Sequence, residues 1–240
     1  MFFSTLFTAY LLTVAGAAAI VTRVWLPPRA SWAAIALLVV WLAYALLLGI
    51  TGLVGQYDRL PPGIAFLVLP LVTALLTLTL TRPGAIVARR VPVRLLLGFQ
   101  VFRVGVELSL HHLWSLGLAP KLMTLGGGNI EILVAITAPA AAWLASRGPL
   151  GRRIAWAWNL IGLLSLANIV IRAVLSAPGP LNILQAEVPD VAILTYPFTF
   201  IPGFMAPLAM TLHILAFRAF RSESGSRRTL RLDSVTGRPN

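Results

Sequence analysis

The chain has 240 residues, 58% hydrophobic and 11% charged, with a mean hydropathy of +0.88, whereas a soluble domain carries roughly a quarter charged residues. That excludes an ordinary soluble domain and predicts a polytopic membrane protein. Net charge is +12 and cysteine is absent. Disulfides, thiolate nucleophiles and zinc–thiolate sites are therefore excluded, and the arginines must be placed relative to a membrane before any partner is inferred from them.

A membrane span needs roughly 20 predominantly apolar residues. Seven stretches qualify, at about 4–22, 31–54, 63–81, 93–116, 129–146, 153–176 and 196–217. Breakers separate them: Pro27-Pro28, Pro61-Pro62, Arg82-Pro83-Gly84, Gly126 to Gly128, Gly148-Pro149 and Pro178-Gly179-Pro180. The first stretch ends in small residues, but its arginines, Arg23 and Arg29, follow the apolar run. A signal peptide has them before it, so this is read as a retained helix.

The loops after the first, third and fifth spans and the C-terminal tail carry Arg23, Arg29, Arg82, Arg89, Arg90, Arg94, Arg147, Arg152, Arg153, Arg218, Arg221, Arg227, Arg228, Arg231 and Arg238. The opposite loops carry Arg59 and Lys121. Positive-inside asymmetry predicts an all-α membrane protein, a seven-transmembrane-helix bundle with its N-terminus out and C-terminus in. Residues 1–221 form that domain and 222–240 a flexible basic cytoplasmic tail. The expected setting is a bacterial inner membrane. The positive charge is then a topology signal with some attraction for anionic lipid, and no nucleic-acid partner is predicted.

The fourth span breaks the apolar rule. In "FQVFRVGVELSLHHLW", Gln100, Arg103, Glu107 and His111 fall within about 80° of one helical face, with His112 about 100° from His111. Charges at this depth are costly unless paired or wet, so this face should point into the bundle. Arg103 and Glu107 can pair at i,i+4, either as a structural staple or as part of a site. In the sixth span Ser165, Asn168 and Arg172 share about 60°, while Asn159 points away from them. Asn129 reads as a helix N-cap, with Glu131 in the first turn where the dipole favours a carboxylate. By depth, Glu107, His111, His112, Glu131, Asn168 and Arg172 lie in the outer half. Gln100, Asn159 and His213 lie in the inner half, with Arg103 between. Pro202 and Pro207 should bend the last span and free carbonyls near Phe198 and Gly203.

No nucleophile elbow or strand-linked glycine loop is present, and the single lysine, Lys121, lies between spans, against a buried Schiff base. His111 and His213 are expected near opposite faces, which disfavours a bis-histidine haem. No cofactor is predicted, and a metal held by Glu107, His111, His112 and Glu131 is only an alternative. The stretches "QVFRVGVELSL", "APKLMTLGGGNIEILVAITAP", "WNLIGLLSLANIV", "VLSAPGP" and "YPFTFIPGFMAPLAMTLHIL" resemble a group of bacterial polytopic integral membrane proteins, from Leu60 to His213. The resemblance marks Gln100, Arg103, Glu107, Pro120, Met123, Thr124, Gly127, Asn129, Glu131, Asn159, Asn168 and His213, and implies no activity. The group often has a basic residue where this chain has Gly128, and aspartate where it has Glu131.

The expectation is a pocket open to the periplasmic side that binds, senses or transports a small polar or anionic solute, with proton coupling at Glu107 and the histidines. Arg103 and Arg172 would face the anion. An enzyme using Glu107 and His111 as an acid–base pair, or a non-catalytic assembly subunit, are the alternatives. Beyond the bilayer and such a ligand, no protein partner is specified.

Overall fold

The computed structural model describes residues 2–58, 61–178 and 183–236, without the side chains of 78–79 and 223–236. Arg59, Gly179 and Pro180 lie outside the described residues, as do 237–240 of the expected tail; the backbone of its remainder continues α9. Among the described residues there is no strand. The helices are α1 (Phe2–Trp25), α2 (Pro28–Ile50), α3 (Ala65–Leu80), α4 (Arg82–Arg90), α5 (Val93–Gly98), α6 (Arg103–Ser115), α7 (Glu131–Leu144), α8 (Gly148–Leu175) and α9 (Ala206–Thr236).

Among the described residues, four helical segments are long and apolar enough to cross a membrane: α1, α2, α8 and Ile201–Ser222. A fifth counts if Ala65–Thr77 and α4, bent 67° apart, form one broken span. The other two expected spans are helical but short. Helix α7 has 14 residues, a rise of about 21 Å, less than the roughly 30 Å of hydrocarbon. The stretch 93–116 is three pieces, because a 3₁₀ turn at Phe99–Phe102 separates α5 from α6.

The interior and exterior are inverted relative to a soluble protein. Leu37, Val40, Leu69, Ile136, Leu164 and Ile171 are exposed, while Gln100, Arg103, Glu131, Asn159 and His213 are buried. Such polar groups inside an apolar shell are what a lipid environment dictates.

Helix α7 packs against α5, α6 and α8, and α9 against α3, α4, α5 and α8. Prolines leave their marks on this packing. Pro70 in α3 cannot donate to the Phe66 carbonyl four residues back, and the Tyr44 hydroxyl of α2 donates to it instead, at 2.8 Å. Pro207 likewise frees the Gly203 carbonyl, which accepts from Trp41 Nε1 at 2.8 Å. The expected bend before α9 is a π-turn at Ile201–Met205. Two aromatic side chains of one helix thus compensate prolines in two others.

Candidate functional site

The polar residues of α6, α7, α8 and α9 meet at the guanidinium of Arg103. Its Nη2 forms an ion pair with Glu131 Oε2, and its Nη1 lies 3.2 Å from His213 Nε2. A guanidinium only donates, so His213 Nε2 accepts and the ring proton sits on Nδ1. Nδ1 then donates to Asn159 Oδ1 at 2.8 Å, while Asn159 Nδ2 donates to the His213 carbonyl at 3.0 Å. Both ends of the Asn159 amide are used, which fixes its orientation. Gln100 Nε2 donates to the Ala209 carbonyl at 2.9 Å and ties the 3₁₀ turn to α9.

Glu107 is held separately. Its Oε2 accepts from Asn129 Nδ2 at 2.7 Å, and the same nitrogen donates to the Met123 carbonyl at 2.9 Å. Asn129 Oδ1 accepts the N–H of Glu131 at 3.0 Å, so one amide links the two carboxylates. Arg103 remains within electrostatic reach of Glu107. Relative exposure is 3% for Arg103, 7% for Glu107 and 1% for Glu131. The centre therefore contains two acids and one cation in a dry setting. Glu131 Oε1 and Gln100 Oε1 are buried with no hydrogen-bond partner.

Small residues admit these large groups. A Cβ on Gly162 of α8 would lie 2.6 Å from His213 Cε1, so glycine there makes room for the imidazole. A Cβ on Gly105 would lie 2.6 Å from the Tyr10 ring. Tyr10 reaches across from α1 and donates its hydroxyl to the Phe102 carbonyl in the 3₁₀ turn.

The structure gathers Gln100, Arg103, Glu107, Glu131, Asn159 and His213, but not the rest of the expected set. His111 is exposed and stacks near Trp114, with ring centroids 5.2 Å apart. Each four-residue step turns a helix by about 40°, so eight residues after Arg103 the stripe has rotated out of the core. His112 packs against Phe3 at 3.9 Å. On α8 the buried stripe runs through Asn159, Gly162, Ser165 and Ile169, which leaves Asn168 exposed. Asn159 was expected to point away from the polar face and instead belongs to the centre. The ion pair is also redrawn: Glu131 takes the guanidinium that the i,i+4 spacing assigned to Glu107. The two expected depth layers merge, because Arg103 reaches both Glu131 and His213.

Arg172 serves a neighbouring loop. Its Nη1 donates to the Leu122 and Gly127 carbonyls at 3.2 and 2.8 Å. From another loop, Glu187 Oε1 accepts the Lys121 N–H at 2.6 Å, a bond that holds the Glu187 carboxyl below the usual range. Close by in sequence, Asp190 is fully buried with both carboxylate oxygens unpartnered, and burial pushes its pKa up to about 7. Nothing in "EVPDVAIL" distinguishes Asp190 from a solvated loop acid. Asn129, expected as a helix N-cap, accepts the Glu131 N–H, while its bond to Glu107 and the reach of Tyr10 from α1 have no signal in local spacing. An apolar groove lined by Leu113, Leu118, Val188, Val191, Ala192 and Phe198 lies at the end of α6, and no member of the buried centre lines it. Among the described residues no three His, Asp or Glu side chains are grouped to hold a metal.

This is an all-helical protein of membrane type, organised around a buried ionic centre. The chain belongs to the family described as a domain of unknown function (DUF8737), whose model matches residues 60–221. That region begins after α1 and α2 and contains Gln100, Arg103, Glu107, Asn129, Glu131, Asn159 and His213, but not Tyr10. No curated protein and no solved structure matches the chain.

Proposed function

We propose that the chain is a seven-span protein of the bacterial inner membrane, N-terminus out, whose buried centre carries an exchangeable proton. Uptake and release of that proton are coupled to binding or movement of a small polar or anionic solute. The arginine distribution supports the topology, and the short α5–α6 and α7 segments serve as the interior spans around the centre.

One observation carries the functional reading: a single guanidinium faces two buried carboxylates. An uncompensated charge in a low-dielectric interior costs several kcal/mol. A proton on one carboxylate removes that cost. Glu131 holds Arg103 and stays ionised; Glu107, bound only by an amide and the less enclosed of the two, takes the proton. The test uses the full chain in liposomes loaded with a pH-sensitive dye, with an imposed potassium diffusion potential. Proton flux in the native chain that is lost in Glu107→Gln supports the reading. Equal flux from both, or none above empty liposomes, removes it.

A second reading is favoured by the packing. Gln100, Arg103 and Asn159 each donate a hydrogen bond within the centre, and the apolar groove does not reach it, as expected of a polar staple that sets helix register. Under that reading, replacing Arg103, Glu107 and Glu131 together by apolar residues leaves both folding and cellular function intact.

A further inference from the structure

Helix α4 differs from every span. Its exposed face carries Arg82, Ile86, Arg89 and Arg90, while Gly84 and Ala88 are buried. It turns 67° away from Ala65–Thr77 and packs on α3 and α9. Three arginines in nine residues cannot enter hydrocarbon, whereas a helix lying along the boundary can set Ile86 toward the acyl chains and its guanidiniums toward headgroups.

Two contacts bring further cations to the same end of the bundle. Both terminal nitrogens of Arg218 on α9 donate to the Thr81 carbonyl, each at 3.2 Å, immediately before α4. Arg152 Nη2 on α8 donates to the Phe220 carbonyl at 2.9 Å. Arg94, Arg153 and Arg221 are exposed nearby in sequence.

No acid with a described side chain balances this surface. Glu107 and Glu131 are in the buried centre, Glu187 is on the Lys121 amide, and Asp190 is buried. Asp58 precedes α3, and the other two acids, Glu223 and Asp233, follow the last span. Among the described residues Arg82, Arg89, Arg90, Arg94 and Arg153 have no carboxylate within ion-pair distance. Even with Glu223 and Asp233 counted, the arginines of this end outnumber its acids, so a net positive face remains. We propose that α4, with the ends of α8 and α9, forms a binding face for the headgroups of anionic phospholipids in the leaflet it lies against. Guanidinium forks match phosphate oxygens in pairs, which suits arginine rather than lysine here.

The test follows amide exchange of α4 in the full chain, in nanodiscs of phosphatidylcholine with or without phosphatidylglycerol. The proposal expects phosphatidylglycerol to slow exchange in α4 by about tenfold, with the effect lost in high salt. The Arg89→Gln/Arg90→Gln variant should lose most of that protection, and Arg89→Lys/Arg90→Lys should retain part of it. Equal exchange in both lipids overturns the proposal. So does protection in phosphatidylcholine on adding inorganic phosphate alone, which would mark an ion site rather than a leaflet. If the glutamine variant fails to fold, the salt dependence of the native chain decides.

Discussion

Arg103, the first residue of α6, is ion-paired with Glu131, the first residue of α7. Glu131 stands at a helix start, where the dipole favours a carboxylate, so it stabilises α7 directly. Arg103 follows the 3₁₀ turn in backbone that stays helical from α5, so no free helix end opposes its guanidinium. Removing Arg103 alone leaves Glu131 buried and unpaired, at a cost of about 3–5 kcal/mol, whereas removing Glu131 leaves Glu107 to balance Arg103. Thermal unfolding in detergent should show this loss for Arg103→Met. The double variant Arg103→Met/Glu131→Leu should recover most of it. Equal loss in the single and double variants would mean that the pair contributes through shape, not charge.

Gly162→Ala should disturb the centre without altering any charged group. The new methyl would collide with the His213 ring, and overpacking of this kind costs about 1–3 kcal/mol. Because His213 is wedged between Arg103 and Asn159, the ring must leave one of them. Nitrogen-15 spectra of the imidazole should show the change of hydrogen bonding. An unchanged His213 signal with unchanged stability would contradict the packing described.

Asp190 should make the 183–194 loop pH-sensitive. Burial raises its pKa from the ordinary 3.8 to about 7. The site thus accepts the neutral acid, and its contribution is full in acid and is lost as pH rises through about 7. Hydrogen exchange in this loop should quicken beyond the intrinsic rate as pH rises from about 4 to about 7 and level off above that, and Asp190→Asn should abolish that step. A pH-independent protection factor in the native chain would count against it.

The absence of cysteine makes topology simple to test. Single cysteines at the exposed positions Leu125, Ile183 and Ser146 report on three loops. The proposed topology places Leu125→Cys and Ile183→Cys outside, labelled by an impermeant reagent in intact cells, and Ser146→Cys inside, labelled only after lysis. The reverse pattern overturns the orientation.

The helical class and the apolar exterior were legible in the sequence, because hydropathy reports burial in lipid directly. The residues of the centre were legible too, since each is a polar group inside an apolar run. Their partners were not. Wheel geometry assumes one continuous helix through 93–116, and the 3₁₀ turn at Phe99–Phe102 breaks that phase between Gln100 and Arg103. Pairings between helices, such as Arg103 with Glu131 or His213 with Asn159, depend on packing that no local spacing encodes. The short α7 shows the same limit: composition marks it as apolar, while its start at Glu131 is set by the Asn129 turn.

The proposed function requires Glu107 to carry the proton that balances the centre. Infrared spectroscopy of the full chain in lipid tests it most directly, in an Asp190→Asn background so that the second buried acid does not contribute. A protonated-carboxyl band is expected at neutral pH, and it should disappear in Glu107→Gln. It should also disappear in Glu131→Gln, where Arg103 and Glu107 balance each other without a proton. A spectrum with no such band at neutral pH, showing both carboxylates ionised around Arg103, would contradict the account.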